Sequence, residues 1–342
     1  MRMLKRLTAA VLALTLLAGT ALAGEAKPKM VYRELYNAVA EDQREGFLFF
    51  TDPHMAETPD WEPDFEKWMR KIGRYADDTE IDLIFCGGDW IGSLDTNSEA
   101  VEKLSQVTDF NLMLFGQGRY HCAVGNHDTN EVGSADLPTR KAKTARLSVG
   151  AYTDAMMPVT GIAYYAIQGV NTRFYLLDSG YETQNMNAMA MGVYRWGMLN
   201  WFADDLLKND PAHAAVLTHI YYRTSRNRSA GQLGNYMAAI CEAFNKHSMV
   251  KMDGHTYDFR TCTGRVEFIL CGHIHIDYDS VHNGIPVIAT RCALSPQETG
   301  DPVLCFDLCV ADYAEHLLTM VRVGDGETRT ISLGEGAVSY PE

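Results

Sequence analysis

The sequence GFLFFTDPH, at residues 46–54, joins a short apolar run directly to two side chains that can bind a metal ion. Continuous apolar runs of this length are typical of strands buried on both faces. Asp52 and His54 follow at the point where the predicted strand, residues 47–51, gives way to a loop. In open α/β folds, active sites gather at this carboxyl edge of the sheet. The stretch therefore predicts both a buried strand and a functional site at its end.

Four further apolar runs end in the same kind of residue. They cover residues 81–86, 120–124, 214–218 and 266–271. The motifs that follow them are Gly88-Asp89, Gly125-Asn126-His127-Asp128, His219, and Gly272-His273-Ile274-His275. Ligands placed after buried strands lie at one edge of a sheet, so these motifs are expected to form a single site.

Helical patterns alternate with the apolar runs, which predicts an α/β fold. Apolar residues recur at helical spacing in residues 63–77 and 97–110, and the segment after the last His motif is β-rich. The sequence contains no internal repeat and no linker rich in Pro, Gly or Ser. It therefore predicts a single catalytic domain at residues 46–342, preceded by a polar and charged N-terminal extension at residues 24–45.

Residues 1–23 have the features of a secretory signal peptide. These features are a basic start at Arg2, Lys5 and Arg6, an apolar core at residues 7–17, and a small-residue cleavage site at residues 21–23. The apolar core is short for a bilayer span, and no later run approaches the length of about 20 residues that a transmembrane helix needs. The mature protein is therefore expected to be secreted, or to lie on the exterior of the cell envelope, after cleavage near Ala23. The alternative is that residues 1–23 are an uncleaved membrane anchor.

The chain is acidic, with a formal net charge of −14 at pH 7. The predicted signal peptide contains three basic residues and no acidic ones, so its removal would change the charge to −17. Binding to nucleic acid depends on Lys and Arg side chains that neutralise phosphates. The composition therefore argues against a nucleic-acid partner.

Eight cysteines follow the predicted signal peptide, at positions 86, 122, 241, 262, 271, 292, 305 and 309. In an oxidising compartment cysteines usually form disulfides. Several of these, however, fall inside apolar runs, where cysteine commonly serves as a small buried hydrophobic residue. Cys241 and Cys262 are the pair to test first for a bridge, although the sequence does not decide connectivity.

The side chains that follow the five runs are carboxylates, imidazoles and one carboxamide, without a thiolate. Oxygen and nitrogen donors of this kind suit Mn, Fe or Zn, and the oxygen donors also suit Ca or Mg. A single His-x-His pair would be weak evidence, because a lone histidine is more often a structural residue. Five motifs in order, each after an apolar run, instead predict a hydrolytic site with two metal ions.

The combination of D-x-H, G-D, G-N-H-D, H and G-H-x-H over residues 46–290 resembles the calcineurin-like metallophosphoesterase family. The resemblance implies a four-layer α/β/β/α sandwich of two mixed sheets flanked by helices. It also implies two divalent or trivalent metal ions. One ion would be held by Asp52, His54 and His275, the other by Asn126, His219 and His273, and Asp89 would bridge them. His127 would be the acid, or a positive charge beside the metals, with Asp128 orienting its ring.

Physical chemistry supports these roles. Two cations about 3.5 to 4 Å apart lower the pKa of a shared water, place the resulting hydroxide and bind phosphoryl oxygens during in-line attack. The leaving alkoxide then needs a proton, and a histidine such as His127 titrates in the useful range. We therefore expect an exported, metal-dependent phosphoric ester hydrolase, a phosphatase or phosphodiesterase, that acts on mono- or diesters of small molecules.

The chain departs from the commonest family pattern in two places. Purple acid phosphatases have a metal-binding tyrosinate three residues after the bridging Asp, whereas this chain has Gly92 there. The purple branch and its coloured iron pair are therefore disfavoured. The middle residue of D-x-H is Pro53, which is expected to stiffen the loop without removing a ligand.

Substrate contacts are less well indicated than metal ligands. Tyr222, Arg223 and Arg226 follow His219 in a basic and aromatic loop. This loop could hold a second phosphate or an anionic leaving group, although a solvated loop is the more ordinary interpretation. Trp90 follows Asp89, so it could form a wall of the pocket or pack in the core.

Two other functions stay open at this point. One is a noncatalytic metal-binding or glycan-binding surface protein with the same fold, which would be expected to lack His127. The other is a nuclease, which would need a basic groove that an acidic chain is less suited to form. The sequence does not indicate the oligomeric state.

Overall fold

The computed structural model describes residues 26–54, 61–92, 94, 96–130, 147–180, 194–221, 231–293 and 304–334. The helices in these ranges are α1 (Ala26–Ala38), α2 (Trp61–Thr79), α3 (Asn97–Phe115), α4 (Val149–Met156), α5 (Trp196–Asn209) and α6 (Gly231–Asn245). The strands are β1 (Arg44–Phe50), β2 (Ile84–Cys86), β3 (Tyr120–Cys122), β4 (Tyr165–Gln168), β5 (Thr172–Leu177), β6 (His213–Thr218), β7 (Met249–Met252), β8 (His255–Asp258), β9 (Arg265–Cys271), β10 (Tyr278–His282), β11 (Ile285–Ala289), β12 (Phe306–Asp312), β13 (Leu317–Val323) and β14 (Arg329–Ser332).

Helix α3 shows how local sequence sets the bounds of an element. Thr96 is extended, and its hydroxyl accepts a hydrogen bond from the backbone N–H of Glu99 at 3.1 Å, which caps the first turn. The helix ends at Gly116, whose φ of 84° is costly for other residues and whose N–H donates to the carbonyl of Leu112. The apolar face of the helix, which includes Leu104 and Val107, is buried.

Two mixed sheets of six strands each form the middle of the described structure. The strand order is β14-β13-β12-β1-β2-β3 in the first sheet and β10-β11-β9-β6-β5-β4 in the second. In the first sheet β1, β2 and β3 are parallel, and β12, β13 and β14 continue from β1 as antiparallel neighbours. In the second sheet β5, β6, β9 and β11 are parallel, and β4 and β10 are antiparallel strands at the two edges. Strands β7 and β8 form a separate hairpin.

The two sheets pack face to face through a layer of aromatic side chains. Phe47 and Phe49 of β1 belong to this layer, together with Phe174 of β5 and Phe268 of β9. The rings of Phe47 and Phe174 meet edge to face, with centroids 5.4 Å apart. Burying one such ring contributes about 1.5 to 3 kcal/mol, so this layer holds the sheets firmly together.

The outer face of each sheet is covered by helices. Leu48 and Phe50, which alternate with the inner phenylalanines along β1, pack with residues of α1 to α4. On the second sheet, Val216 of β6 packs with residues of α5 and α6. The order of layers is therefore helix, sheet, sheet, helix, which confirms the predicted α/β/β/α sandwich of two mixed sheets.

All eight cysteines are free and buried. Cys241 and Cys262, the pair proposed for a first test of bridging, both pack as thiols beneath the helices of the second sheet. Burial raises the pKa of Cys241 to about 12, so its thiol stays protonated and behaves as an apolar group.

Within the described ranges, no helix combines the length and apolarity required to cross a bilayer. The predicted signal peptide, residues 1–23, lies outside those ranges.

Candidate metal centre

The structure brings all seven predicted ligands to the carboxyl ends of strands from both sheets. The first sheet supplies Asp52 and His54 after β1, Asp89 after β2 and Asn126 after β3; the second sheet supplies His219 after β6, and His273 and His275 after β9. The candidate centre therefore straddles the two sheets.

Asp52, His54, Asp89 and His275 form what we call the first ligand group. Their metal-binding atoms all lie within 4.8 Å of one another. His275 Nε2 is 3.2 Å from Asp52 Oδ1 and 3.0 Å from His54 Nε2. Four donors at these separations can surround one cation.

Asp89, His219 and His273 form the second ligand group, and their metal-binding atoms also lie within 4.8 Å of one another. His219 Nε2 is 2.9 Å from Asp89 Oδ2 and 3.2 Å from Asn126 Oδ1. His273 Nδ1 is 2.9 Å from the same oxygen of Asn126. Asp89 thus belongs to both groups, as expected for a carboxylate that bridges two ions.

The donor atoms fit metal ions. Asp89 Oδ2 is buried and lies 2.9 Å from His219 Nε2, whereas Oδ1 accepts a hydrogen bond from the backbone N–H of His127 at 2.8 Å. A buried carboxylate oxygen needs a hydrogen-bond donor or a cation, and a metal ion would take the place of the His219 proton there. His219 Nδ1 lies 2.9 Å from the carbonyl oxygen of Gly87, which fixes one ring proton there, so that Nε2 can offer a lone pair to the cluster once it has lost its own proton.

The charges of the ligands shift one another's pKa values. Burial alone would lower the pKa of His219, but the Asp89 and Asp52 carboxylates beside it raise that pKa to about 10. Burial alone would raise the pKa of Asp89, but His219 lowers it to about 2. Burial, together with the charge on His219, lowers the pKa of His273 to about 4. The carboxylates are therefore ionised and ready to bind cations, and His219 holds a proton that a cation must displace.

Metal binding by the apoprotein is expected to release protons. Because the pKa of His219 is raised to about 10, its ring is protonated near neutral pH and must lose that proton before Nε2 binds a cation. Metal affinity should therefore increase as the pH rises toward that value. Calorimetric titration at one pH, in two buffers with different ionisation enthalpies, would measure the protons released. Equal heats in both buffers, with an affinity that does not change with pH, would contradict this expectation.

The backbone around the ligands is strained. Five of the seven ligands have positive φ angles: Asp52 (53°), His54 (47°), Asp89 (56°), His273 (72°) and His275 (57°). Residues other than glycine adopt this left-handed region at a cost, and such conformations cluster at functional sites. The strain indicates that the surrounding contacts hold these side chains in place.

Close packing explains two of the glycines in the motifs. A Cβ atom on Gly125 would lie 2.0 Å from Asp89 Oδ1, and one on Gly272 would lie 2.1 Å from Thr51 Oγ1 and 2.4 Å from Asp52 Oδ2. Side chains at these positions would displace the carboxylate ligands. The glycines are thus required by the ligands that face them.

The predicted acid pair lies beside this cluster. The ring of His127 is partly buried and stands edge to face with that of His54, with centroids 4.8 Å apart. Asp128 is fully buried. Its Oδ2 accepts hydrogen bonds from the backbone N–H groups of Asp89 and Gly125, both at 2.9 Å, and its Oδ1 accepts one from that of Trp90 at 2.7 Å. These bonds join the loop after β2 to the loop after β3.

The predicted substrate residues are placed differently. Trp90 is 1% exposed and packs edge to face against Phe50 and Phe65, so it belongs to the core. Tyr222, Arg223 and Arg226 lie outside the described residues.

Cys292, which belongs to none of the five motifs, also lies at the candidate centre. Its Sγ donates to the backbone carbonyl of Asp52 at 2.6 Å and lies within 4.8 Å of the metal-binding atoms of His54 and His275. Cys292 follows the apolar strand β11, which ends at the same edge as the ligand-bearing strands. The pattern that identified the ligands could therefore have pointed to it.

A two-sheet α/β sandwich with carboxylate, carboxamide and imidazole donors at the ends of its strands defines a class of protein, the metal-dependent hydrolases. A sequence profile of the family described as calcineurin-like phosphoesterase matches residues 46–277, more than half of the chain. The chain belongs to this family and is a metal-dependent phosphoric ester hydrolase. The resemblance inferred from the five motifs is thus confirmed.

Solved structures of other proteins are similar to this chain. A dimetal phosphatase from Danio rerio is 13% identical, with a TM-score of 0.54 over 85% of this chain and 99% of that chain. A putative 5'-nucleotidase from Staphylococcus aureus is 13% identical, with a TM-score of 0.41 over 87% of this chain and 56% of that chain. Comparison with curated proteins gives no significant match.

Proposed function

We propose that the protein is an exported phosphoesterase that uses two metal ions to hydrolyse mono- or diesters of small phosphorylated molecules. The observation that carries the proposal is Asp89, a buried carboxylate shared by the two ligand groups. Asp52, His54 and His275 would hold one ion, Asn126, His219 and His273 the other, and Asp89 would bridge them. When bound, such ions activate water and neutralise charge on the phosphoryl oxygens.

The protein's own groups prepare this chemistry. The backbone N–H of His127 holds Asp89 Oδ1, and this contact orients the carboxylate so that Oδ2 faces His219. The His127 ring, beside that of His54, would carry a proton on a ring nitrogen and pass it to the leaving oxygen as the ester bond breaks. Asp128 would fix the position of His127 relative to Asp89, because its carboxylate connects the two loops that carry them.

Export and substrate class rest on sequence features. The signal-like residues 1–23 support export, and the net charge of −14 disfavours a long polyanion such as nucleic acid as substrate. The charge therefore also speaks against the nuclease alternative. The noncatalytic alternative is weakened by His127, because a protein that only binds metal or glycan has no use for an acid beside the metals.

A hydrolysis screen tests the proposal. Apoprotein would be supplied in turn with Mn, Fe, Zn, Ca and Mg and offered aryl phosphate monoesters, aryl phosphate diesters and cyclic nucleotides. We expect hydrolysis of at least one ester class that a chelator abolishes and added metal restores. Metal analysis of protein purified without added metal should give two ions per chain. No hydrolysis with any metal, despite two bound ions, would favour the noncatalytic alternative.

A further inference from the structure

Arg322, in the β-rich C-terminal segment, is a buried cation linked to several parts of the fold. Its side chain is 1% exposed. The guanidinium group binds Asp277 with two hydrogen bonds, of 2.6 Å from Nη2 and 3.1 Å from Nη1. It also donates from Nε to Asp307 Oδ1 at 2.8 Å and from Nη2 to Thr290 Oγ1 at 2.8 Å.

These contacts join the two sheets. Arg322 lies on β13 and Asp307 on β12, both in the first sheet. Asp277 lies in the loop between β9 and β10, and Thr290 directly follows β11. These three strands belong to the second sheet. Arg322 lies near the end of β13, which runs parallel to β1 because each is antiparallel to β12. The contacts of Arg322 therefore connect the two sheets at the edge that carries the candidate metal ligands.

The residues that Arg322 contacts are also close, along the chain or through hydrogen bonds, to two ligands of the first group. Asp277 is two residues after His275, in the same irregular loop. Thr290 is two residues before Cys292, whose Sγ binds the carbonyl of Asp52 at 2.6 Å. The next residue, Ala293, donates from its backbone N–H to the carbonyl of Thr51 at 2.8 Å. Asp52 and His275, which come from different sheets, are thus both connected to Arg322.

Arg322 and the carboxylates of Asp277 and Asp307 stabilise one another's charges. Burial alone would lower the pKa of Arg322, but Asp307 and Asp277 raise it, so the guanidinium keeps its charge. Asp277 also accepts a hydrogen bond from Arg291 Nε at 3.2 Å, and its Oδ1 lies 3.6 Å from Arg329 Nη2, so Arg322 provides the shortest contact of this carboxylate but shares it with other cations. Removing the guanidinium would leave Asp307 and Asp277 without their shortest ion pairs and would loosen the Asp277 loop, which would then be held by Arg291 and Arg329.

The geometry points to Arg322 as a positioning residue for the metal centre, one that sets the distance between Asp52 and His275 and so controls binding at the first ligand group. The second group is held in part by other contacts: His219 is held by the carbonyl of Gly87, and the ring of His273 lies against Asn126, although the backbone N–H of His273 also donates to Asp52 at 3.0 Å. Loss of Arg322 is therefore expected to weaken one of the two metal sites much more than the other. This inference rests on the two-metal centre of the proposed function.

The test measures metal binding to the full-length protein after removal of metals. Calorimetric titration with Mn or Zn would compare the wild type with Arg322→Met and Arg322→Lys. We expect the wild type to bind two ions, and Arg322→Met to bind one ion normally and the other about 10- to 100-fold more weakly, as for other residues that orient metal ligands. Arg322→Lys keeps the charge but loses the two-pronged contact with Asp277, so it should restore binding only in part.

Arg173→Met is the matched control. Arg173 forms a similar two-pronged pair with Asp205, at 2.6 and 2.9 Å, but it lies near the start of β5, away from the ligand-bearing edge. Its replacement should leave both metal affinities unchanged. Equal weakening of both sites by Arg322→Met, together with a lower melting temperature of the apoprotein, would show a merely structural role and overturn the inference.

A second variant keeps the inference testable if Arg322→Met does not fold. Asp277→Asn removes the charge from the loop but keeps the pair between Arg322 and Asp307. It should weaken the same single site, and two unchanged affinities in this variant would refute the inference. A wild-type protein that binds no metal would instead refute the proposed two-metal function.

Discussion

Replacement of Asp89 by alanine is expected to reduce phosphoester hydrolysis to the background rate and to release both metal ions. Asp89 is the residue shared by the two ligand groups, so its loss affects both ions at once. The loss of activity should exceed the roughly 10²- to 10⁴-fold effect of removing a general acid. Steady-state kinetics on an aryl phosphate ester, with metal analysis of the same sample, would measure both effects.

Asp82→Ala provides a matched control for this change. Asp82 is an exposed aspartate just before β2, the strand that leads to Asp89, and its loss should change neither activity nor metal content. If Asp89→Ala kept two tightly bound ions and near-normal turnover, the bridging role would be excluded.

Replacement of His127 by alanine should separate catalysis from metal binding. The side chain is not among the ligands, and the backbone N–H that binds Asp89 is retained in the variant. The protein should therefore keep two ions while kcat falls by about 10²- to 10⁴-fold, as expected for loss of a general acid. The fall should be greater for an alkyl ester than for a nitrophenyl ester, because the nitrophenolate leaves without needing a proton.

His255→Ala is the corresponding control, since His255 is an exposed histidine on the hairpin strand β8. Equal losses of kcat for alkyl and nitrophenyl esters in His127→Ala would argue against proton donation and in favour of a purely electrostatic role. Unchanged kcat for both esters would remove His127 from the mechanism altogether.

The sequence was most informative where ligand chemistry and strand pattern coincide. The run at residues 47–51 predicted β1, and Asp52 and His54, which follow it, lie in the first ligand group. The bounds of β2 and β3 were predicted less well, because these strands are only Ile84–Cys86 and Tyr120–Cys122. The run at residues 81–86 begins three residues before β2, and the run at residues 120–124 continues two residues past β3, where the chain brings Gly125 against Gly88.

Other features could not be read from the sequence, because they depend on long-range contacts. The side chain of Trp90 faces the core because of where Phe50 and Phe65 lie, which its position after Asp89 does not reveal. The positive φ angles of Asp52 and His275 are imposed by tertiary packing. Arg322 is 45 residues from Asp277 along the chain, and no local motif marks their pairing.

The place of β12 in the first sheet has a consequence for the order of events during synthesis. β12 pairs with β1 in the middle of that sheet, so the apolar stretch that opens the domain gains its second neighbour only when residues 306–312 have been made. Until then one side of β1 is an unpaired, hydrophobic edge, the kind of surface that pairs wrongly with other chains. The nascent chain must therefore keep its first strand from aggregating until residues 306–312 have been translated.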